Sequence, residues 1–314
     1  MRILITGSTG MVGKNLLEHP DIKKFDVLFP LSRQLNLLDN NTVYDYLISN
    51  KPDIIIHAAG KVGGIQANME NLSTFLTENL NMGINLVMSA KKAGIKKFLN
   101  LGSSCMYPRK AQNPINEDSI FKGEFEPTNE GYAIAKTTVA RLCDYISRED
   151  PSFQYKTLIP CNLYGRWDKF NPTHSHLLPA IVKKLHEAKI NGSDLVEIWG
   201  SGTVRREALY AGDLADCILY SIQNFESVPT YMNVGSGFDL TINEYYEIMG
   251  KVIGYTGKFI HDLSKPEGIK QKLTDISKLN EFGWKHKTSL EEGTKKTYEF
   301  YVECEKNDPV LINK

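Results

Sequence analysis

Residues 1–17 read MRILITGSTGMVGKNLL, and the loop at positions 7–13, GSTGMVG, decides between two ways of cradling phosphate. A nucleoside triphosphatase loop requires Gly-x-x-x-x-Gly-Lys-Ser/Thr, with the last hydroxyl reserved for magnesium. Anchored on Gly13-Lys14, that pattern meets Ser8 at its first glycine and Asn15 at its hydroxyl, so it fails twice. Gly7, Gly10 and Gly13 instead give Gly-x-x-Gly-x-x-Gly between an apolar strand and a helical pattern. That placement allows a tight turn, a close backbone approach to a pyrophosphate, and helix-terminal N–H groups aimed at it.

Outward from this loop, the apolar run RILIT (2–6) is echoed by DVLFPL (26–31), DIIIHAA (53–59), KFLNLGSS (97–104) and KTLIP (156–160). Amphipathic stretches over 41–49, 74–93 and 132–147 fill the intervals. Strand alternating with helix means a parallel sheet, and runs that are apolar throughout mean strands covered on both faces. The expected class is α/β, a doubly wound parallel-sheet Rossmann domain with a smaller α/β substrate-binding lobe. The Rossmann domain is expected over 1–163, the second lobe over 164–314, with return segments around 209–235 where DLADCILYSIQN and YMNVGSG lead back to the sheet.

Lysine plus arginine and aspartate plus glutamate both number 37, so no net field draws nucleic acid or an anionic membrane. No apolar run reaches the length that spans a bilayer, and no leader pattern opens the chain, so a cytoplasmic protein is expected. Five scattered cysteines, without a Cys-x-x-Cys pair, argue for reduced thiols. His174 and His176 share the loop NPTHSHLLP, but no Cys, Asp or Glu accompanies them at ligand spacing, so no metal is expected.

The end of the second strand meets the adenosine ribose in such folds, and an acid there favours NAD. Here LFPLSRQ (28–34) offers Ser32 and Arg33, and an arginine pairs with a 2′-phosphate, which selects NADP(H). In GYAIAK, Tyr132 and Lys136 lie one helical turn apart on one face. That ammonium together with a cationic nicotinamide ring is expected to bring the phenol from near 10 to about 7, which takes about 4 kcal/mol. Ser103 and Cys105 follow an apolar strand, at the carboxyl edge where open parallel sheets bind ligands.

Several stretches together resemble the GDP-L-fucose synthases, NADPH-dependent epimerase-reductases of the extended short-chain dehydrogenase/reductase family. They are GMVG, LNLLD, AAGKVGGI, LGSSCMYP, EPTNEGYAIAK, NLYG, SHLLPA, HEAK, WGSGT, SKPEG and FGW, in order over nearly the whole chain. The resemblance implies a GDP-4-keto-6-deoxy sugar as substrate. It makes Cys105 the base and His176 the acid for inversion at C3 and C5, then Tyr132 the proton donor at C4, with Ser103 and Lys136 assisting. For the cofactor it implies Gly7, Gly10, Met11, Val12, Gly13, Ser32, Arg33, Asp39, Ala58, Ala59, Gly60, Lys136, Pro160, Asn162, Leu163 and His176. For the GDP-sugar it implies Asn162, Lys184, Trp199, Arg206 and Lys272, with Asp275 nearby. It also implies a homodimer built on the helices around 79–93 and 131–147.

Departures from the family pattern bear on the substrate. Arg206-Glu207-Ala208-Leu209 loses an aromatic residue at Ala208, Lys169 follows Asp168, Lys183-Lys184 replaces arginines, and Gly131 stands where proline is usual. Less bulk at Ala208 makes room for a larger sugar, so a 6-deoxy-heptose with epimerisation reduced or lost is the alternative. A 4,6-dehydratase would need an acidic pair where Ser104 and Cys105 stand. A UDP-sugar 4-epimerase would retain NAD and return it unchanged. A nonenzymatic NADP(H) sensor is the reading from another class, and the intact Ser103, Tyr132 and Lys136 speak against it.

Overall fold

The structure, a computed structural model, describes residues 1–171, 175–265 and 268–312. Five strands from the first half of the chain are β1 (Arg2–Thr6), β2 (Asp26–Leu28), β3 (Ile54–His57), β4 (Lys97–Leu101) and β5 (Gln154–Pro160). Between them run α1 (Met11–Glu18), α2 (Asn40–Asn50), α3 (Ile65–Glu70), α4 (Leu72–Lys92) and α5 (Glu130–Glu149). Beyond them lie β6 (Asn162–Tyr164), α6 (Leu177–Ile190), β7 (Leu195–Trp199), β8 (Arg205–Tyr210), α7 (Ala211–Gln223) and β9 (Tyr231–Val234). The chain then forms β10 (Asp239–Thr241), α8 (Ile242–Ile253), β11 (Lys258–Asp262), β12 (Gln271–Lys272), α9 (Ser277–Phe282) and α10 (Leu290–Asn307).

The main sheet is wholly parallel in the order β2-β1-β3-β4-β5-β9. Its continuous apolar runs divide between two cores. Ile3, Ile5, Ile54 and Ile56 pack with Leu214, Ile218 and Ile222 of α7 on one face. Leu4 and Ile55 pack with Val43 of α2, Leu86 of α4 and Val139 of α5 on the other. The period-two alternation of the strand sends neighbours to opposite faces, and both faces are covered. The doubly wound sheet expected from the sequence is what forms.

Chain order reverses between β1, flanked by β2, and β3 on its other side. That switch point opens a crevice at the carboxyl ends of the strands. The expected return to the sheet is also present, since β9 joins β5 and α7 packs beneath.

The remainder forms a second sheet, β10-β8-β12 with β6 also on β8, and a two-stranded sheet, β11-β7. A separate core of Ile181, Val182, Tyr245, Met249 and Phe300 joins α6, α8 and α10. The polar link between the sheets is Glu207, a buried carboxylate that accepts from the N–H of Gly237 at 2.8 Å and from the N–H and hydroxyl of Thr274 at 2.9 and 2.6 Å. Three donors keep it satisfied, although burial pushes its pKa up.

Helices α4 and α5 cross where Gly83 faces Val139, and a Cβ at Gly83 would collide with that side chain. Gly83→Ala is therefore expected to cost about 1–3 kcal/mol through overpacking and to lower the thermal midpoint by several degrees, read by circular dichroism. An unchanged midpoint would contradict this packing.

Candidate active site

The three glycines of the first loop are needed for three different reasons. Gly7 adopts φ +74°, and a Cβ on it would lie 2.6 Å from Ala59 N and 2.7 Å from Ala58 O. A Cβ at Gly13 would strike the Gly7 carbonyl, so α1 packs on the strand through a bare backbone. Gly10 is different, because a Cβ there would meet only Gly7 O, at an ordinary 3.5 Å. No protein atom demands glycine at that position, which caps α1 and faces outward from the helix end. The N–H groups of Met11, Val12 and Gly13 open α1 without intrahelical acceptors, and its first turn carries no acid. Such a helix end suits a pyrophosphate, and Gly10 adds no side chain in front of it.

At the neighbouring strand end, the Ser8 hydroxyl lies 3.4 Å from the carbonyls of Phe29 and Pro30. Ser32 and Arg33 follow, both exposed. Asp39 is occupied structurally, because it caps α2 by accepting from the N–H groups of Asn41 and Thr42 and from the Thr42 hydroxyl. The Thr42 hydroxyl is the largest of the influences holding its carboxyl below the ordinary value.

At the carboxyl end of β4, the Lys136 ammonium is buried and donates to Leu101 O at 2.9 Å. Burial pushes it down to about 8. A Cβ on Gly60 would lie 3.6 Å from Lys136 Nζ, so the loop after β3 closes over the ammonium. Asn79 holds that loop, accepting from Lys61 N–H at 2.8 Å and donating to Lys61 O and Phe75 O. No motif in the sequence singles out Asn79, which lies 18 positions away from Lys61 in the chain.

Tyr132 stands one turn before Lys136, whose Nζ is 5.8 Å from the phenol ring. Among the protein's own groups, the balance of influences on the phenol runs upward. Burial raises the Tyr132 pKa first, Cys105 raises it further, and only a hydrogen bond with Ser103 lowers it. The phenol keeps its proton at neutral pH, as a donor must.

Ser103 begins the turn 104–106 and accepts from Cys105 N–H at 3.2 Å. Cys105 is partly exposed, while Cys143, Cys161, Cys217 and Cys304 are buried. Asn129, which lies within the stretch EPTNEGYAIAK but has no role assigned from it, donates from Nδ2 to Cys105 Sγ at 3.2 Å. Ser103, Cys105, Tyr132 and Lys136 therefore gather at one place.

His176 caps the exposed start of α6, with its pKa lowered by burial among neighbouring atoms and then by Lys169. His174 lies outside the described residues. Lys169 donates to Val62 O at 3.1 Å, tying this loop to the segment after Gly60. Asp168, buried, accepts from Lys169 N–H at 2.8 Å and is pushed up to about 7 by burial.

A cleft of about 720 Å³ runs from Cys105 past Arg109, Lys110 and Glu126 to Lys272. Arg206 borders it, donating to Ile269 O at 2.6 Å. Further out, Trp199 is exposed, with Lys184 and Lys265 Nζ at 5.1 and 5.4 Å from its ring. Lys184 also donates to Glu197 O at 3.1 Å. Pro160 ends β5, and Leu163 lies between Asn162 and Tyr164 in β6. Asn162 donates to Glu207 O at 2.8 Å, so its amide is engaged in strand pairing.

Ala208 lines a separate crevice with Tyr164, Phe238 and His286. Asp275 accepts from Ser277 N–H and hydroxyl at 2.9 and 2.6 Å, at the start of α9.

The family model described as "NAD dependent epimerase/dehydratase family" matches residues 3–235. The chain is 53% identical over 308 residues to a GDP-L-colitose synthase of Yersinia pseudotuberculosis, covering 98% of this chain and 100% of that protein. It is 37% identical to the GDP-L-fucose synthase of Escherichia coli K12, covering 96% and 97% respectively. A solved GDP-mannoheptose C4 reductase of Campylobacter jejuni with NADP bound superposes with a TM-score of 0.86 at 30% identity, covering 96% of this chain and 98% of that one.

If Arg33 meets a 2′-phosphate, Arg33→Ala is expected to weaken NADPH binding about tenfold or more and to leave NADH binding unaltered, by fluorescence titration. Equal losses for the two cofactors would contradict that pairing.

Proposed function

Because the chain belongs to the NAD dependent epimerase/dehydratase family, we propose that it is an NADPH-consuming C4 reductase of a GDP-4-keto-6-deoxy sugar that also epimerises its substrate. The observation that carries this reading is the convergence of Ser103, Cys105, Tyr132 and Lys136 at the carboxyl end of the sheet, beside the cleft. Bound NADPH supplies the hydride for C4.

The chain's own groups handle the protons. Hydrogens on the carbons flanking a ketone are acidic because the electron pair left behind moves to the ketone oxygen. Cys105 takes such a proton, and His176 delivers one to the opposite face. Ser103 and the protonated Tyr132 hydrogen-bond the oxygen as its charge grows. Tyr132 then gives its proton to that oxygen in the reduction, with Lys136 beside it as a cation. Lys272 and Arg206 suit the diphosphate, and Trp199 a flat base.

The 53% identity to the colitose synthase favours a second reading of the sugar. Colitose, the sugar in that relative's name, then stands beside fucose as the sugar formed. The likeness to a solved GDP-mannoheptose C4 reductase keeps a heptose as an alternative substrate. We read the enzyme as cytoplasmic, since no helix among the described residues is long and apolar enough to cross a membrane and its sugar nucleotides are soluble. We also read it as a homodimer through α4 and α5, which carry the exposed Met88 and Tyr145.

In deuterated water with GDP-4-keto-6-deoxy-mannose and NADPH, Tyr132→Phe is expected to lower NADPH oxidation by about 10²–10⁴-fold. Cys105→Ser is expected to bind NADPH normally and to incorporate no deuterium beside the ketone, read by mass and NMR. Continued exchange in that variant would remove Cys105 from the base role.

The pH dependence follows from Lys136, whose charge is present below about 8 and lost above it. kcat/KM for reduction should therefore fall as pH rises through about 8. A profile flat through that range would separate the ammonium from the reaction.

A further inference from the structure

Asn233 is a fully buried polar residue on β9, the edge strand of the main sheet, and nothing in the chemistry above uses it. Its side chain meets Tyr107 and Ile115, members of a small apolar cluster that also holds Met106 and Ile120. A carboxamide in such a place is costly unless its polar atoms are bonded, and these are. Oδ1 accepts from the Tyr107 hydroxyl at 2.5 Å, while Nδ2 donates to Ile115 O at 3.0 Å and to Asp275 O at 2.9 Å. The two carbonyls can only accept, which fixes the amide this way round. The backbone N–H of Asn233 donates to Glu117 Oε1 at 2.8 Å.

The partners of this one side chain belong to the two walls of the cleft. Tyr107 and Ile115 lie on the segment that runs on from Cys105, and Asp275 lies just beyond Lys272 on the opposite wall. The walls also meet each other there. Ile115 N–H donates to Leu273 O at 2.8 Å, Asp275 N–H donates to Ile115 O at 2.9 Å, and Asn113 Oδ1 accepts from Leu273 N–H at 2.7 Å. Asn233 joins this junction to the main sheet, and Glu207 holds the neighbouring Thr274 from the second sheet.

We propose that Asn233 is a positioning residue for the sugar nucleotide: from the edge of the main sheet it sets the span between Cys105 and Lys272, and with it the place of the ketone against Tyr132. This rests on the reading of the cleft as the GDP-sugar site. The effect is confined to that site, because β3, β4 and β5 stand between β9 and the strand that ends in the Gly7 loop.

The test titrates GDP and NADPH separately into the full chain and measures kcat and KM for GDP-4-keto-6-deoxy-mannose. Asn233→Ala is expected to weaken GDP binding and to raise KM about tenfold, because it leaves buried groups on both walls unbonded. NADPH binding should stay within about twofold of wild type, since distant sites act independently. Tyr107→Phe, which removes one hydroxyl and orphans Oδ1, is expected to raise KM by a smaller factor. The double variant should match Asn233→Ala alone, because the hydroxyl acts through the carboxamide.

GDP affinity and KM equal to wild type in folded variants, whatever the thermal midpoint, would overturn the proposal, as would equal losses for GDP and NADPH. Tyr107→Phe decides alone if Asn233→Ala does not fold. A wild type that binds NADPH but no GDP would instead bring down the reading of the cleft itself, so the two failures are distinguishable.

Discussion

The site is organised around one buried charge. The Lys136 ammonium has left water for a place at the end of β4, where Leu101 O accepts from it at 2.9 Å. Burying a cation is costly unless it is well bonded, and the fall of Lys136 to about 8 expresses that cost. The arrangement persists because the surroundings are built for it. The loop at Gly60 passes over the ammonium, and Asn79 of α4 pins that loop with two hydrogen bonds to the Lys61 backbone. On the sheet beneath, His57 bonds the Thr6 hydroxyl at 2.9 Å and stays neutral, pushed down to about 3 by burial and then by the Lys136 charge. The ends of β1, β3 and β4 and the face of α5 are thus tied to one another through this residue and its neighbours.

From that anchor, the division of labour follows the topology. The reversal of strand order between β1 and β3 leaves a crevice whose floor is the Gly7 loop against Ala58 and Ala59. Tyr132 shares a helix face with Lys136, so the phenol is held at the same rim, and the turn at Ser103 brings Cys105 against the start of that helix. The second sheet, locked by the buried carboxylate of Glu207, supplies the opposite wall of the cleft with Lys272 and, beside it, Arg206. Ser103, Cys105 and Tyr132, read here as the proton-handling groups, stand on the sheet edge, and Lys272 and Arg206, proposed for the diphosphate, stand across from them.

Features governed by local periodicity were legible in the sequence. The six-stranded parallel sheet, the glycine turn and the shared face of Tyr132 and Lys136 each depend on spacing within a few residues. What escaped depends on pairing over distance. Asn129 meets Cys105 across 24 residues of chain, and nothing in the spacing of the two announces it. The crevice that Ala208 lines is formed with Tyr164, Phe238 and His286, residues far apart in the chain. The upward balance at Tyr132 escaped for a related reason: a lysine one turn away is visible in sequence, whereas burial is a tertiary property. Asp39 and Asp275 show the same limit, since the hydrogen bonds by which each holds the start of a helix are set by local backbone geometry that the motif beside it does not reveal.

The central claim is that this rim brings a reduced nicotinamide and a sugar ketone together beside Tyr132. The most direct measurement supplies NADPH deuterated at both positions of nicotinamide C4 with GDP-4-keto-6-deoxy-mannose in ordinary water, and locates the label by NMR. The account requires one deuterium per product, bonded to sugar C4, with one NADPH oxidised for each. NADPH left unconsumed, or a product bearing protium at C4, would contradict it.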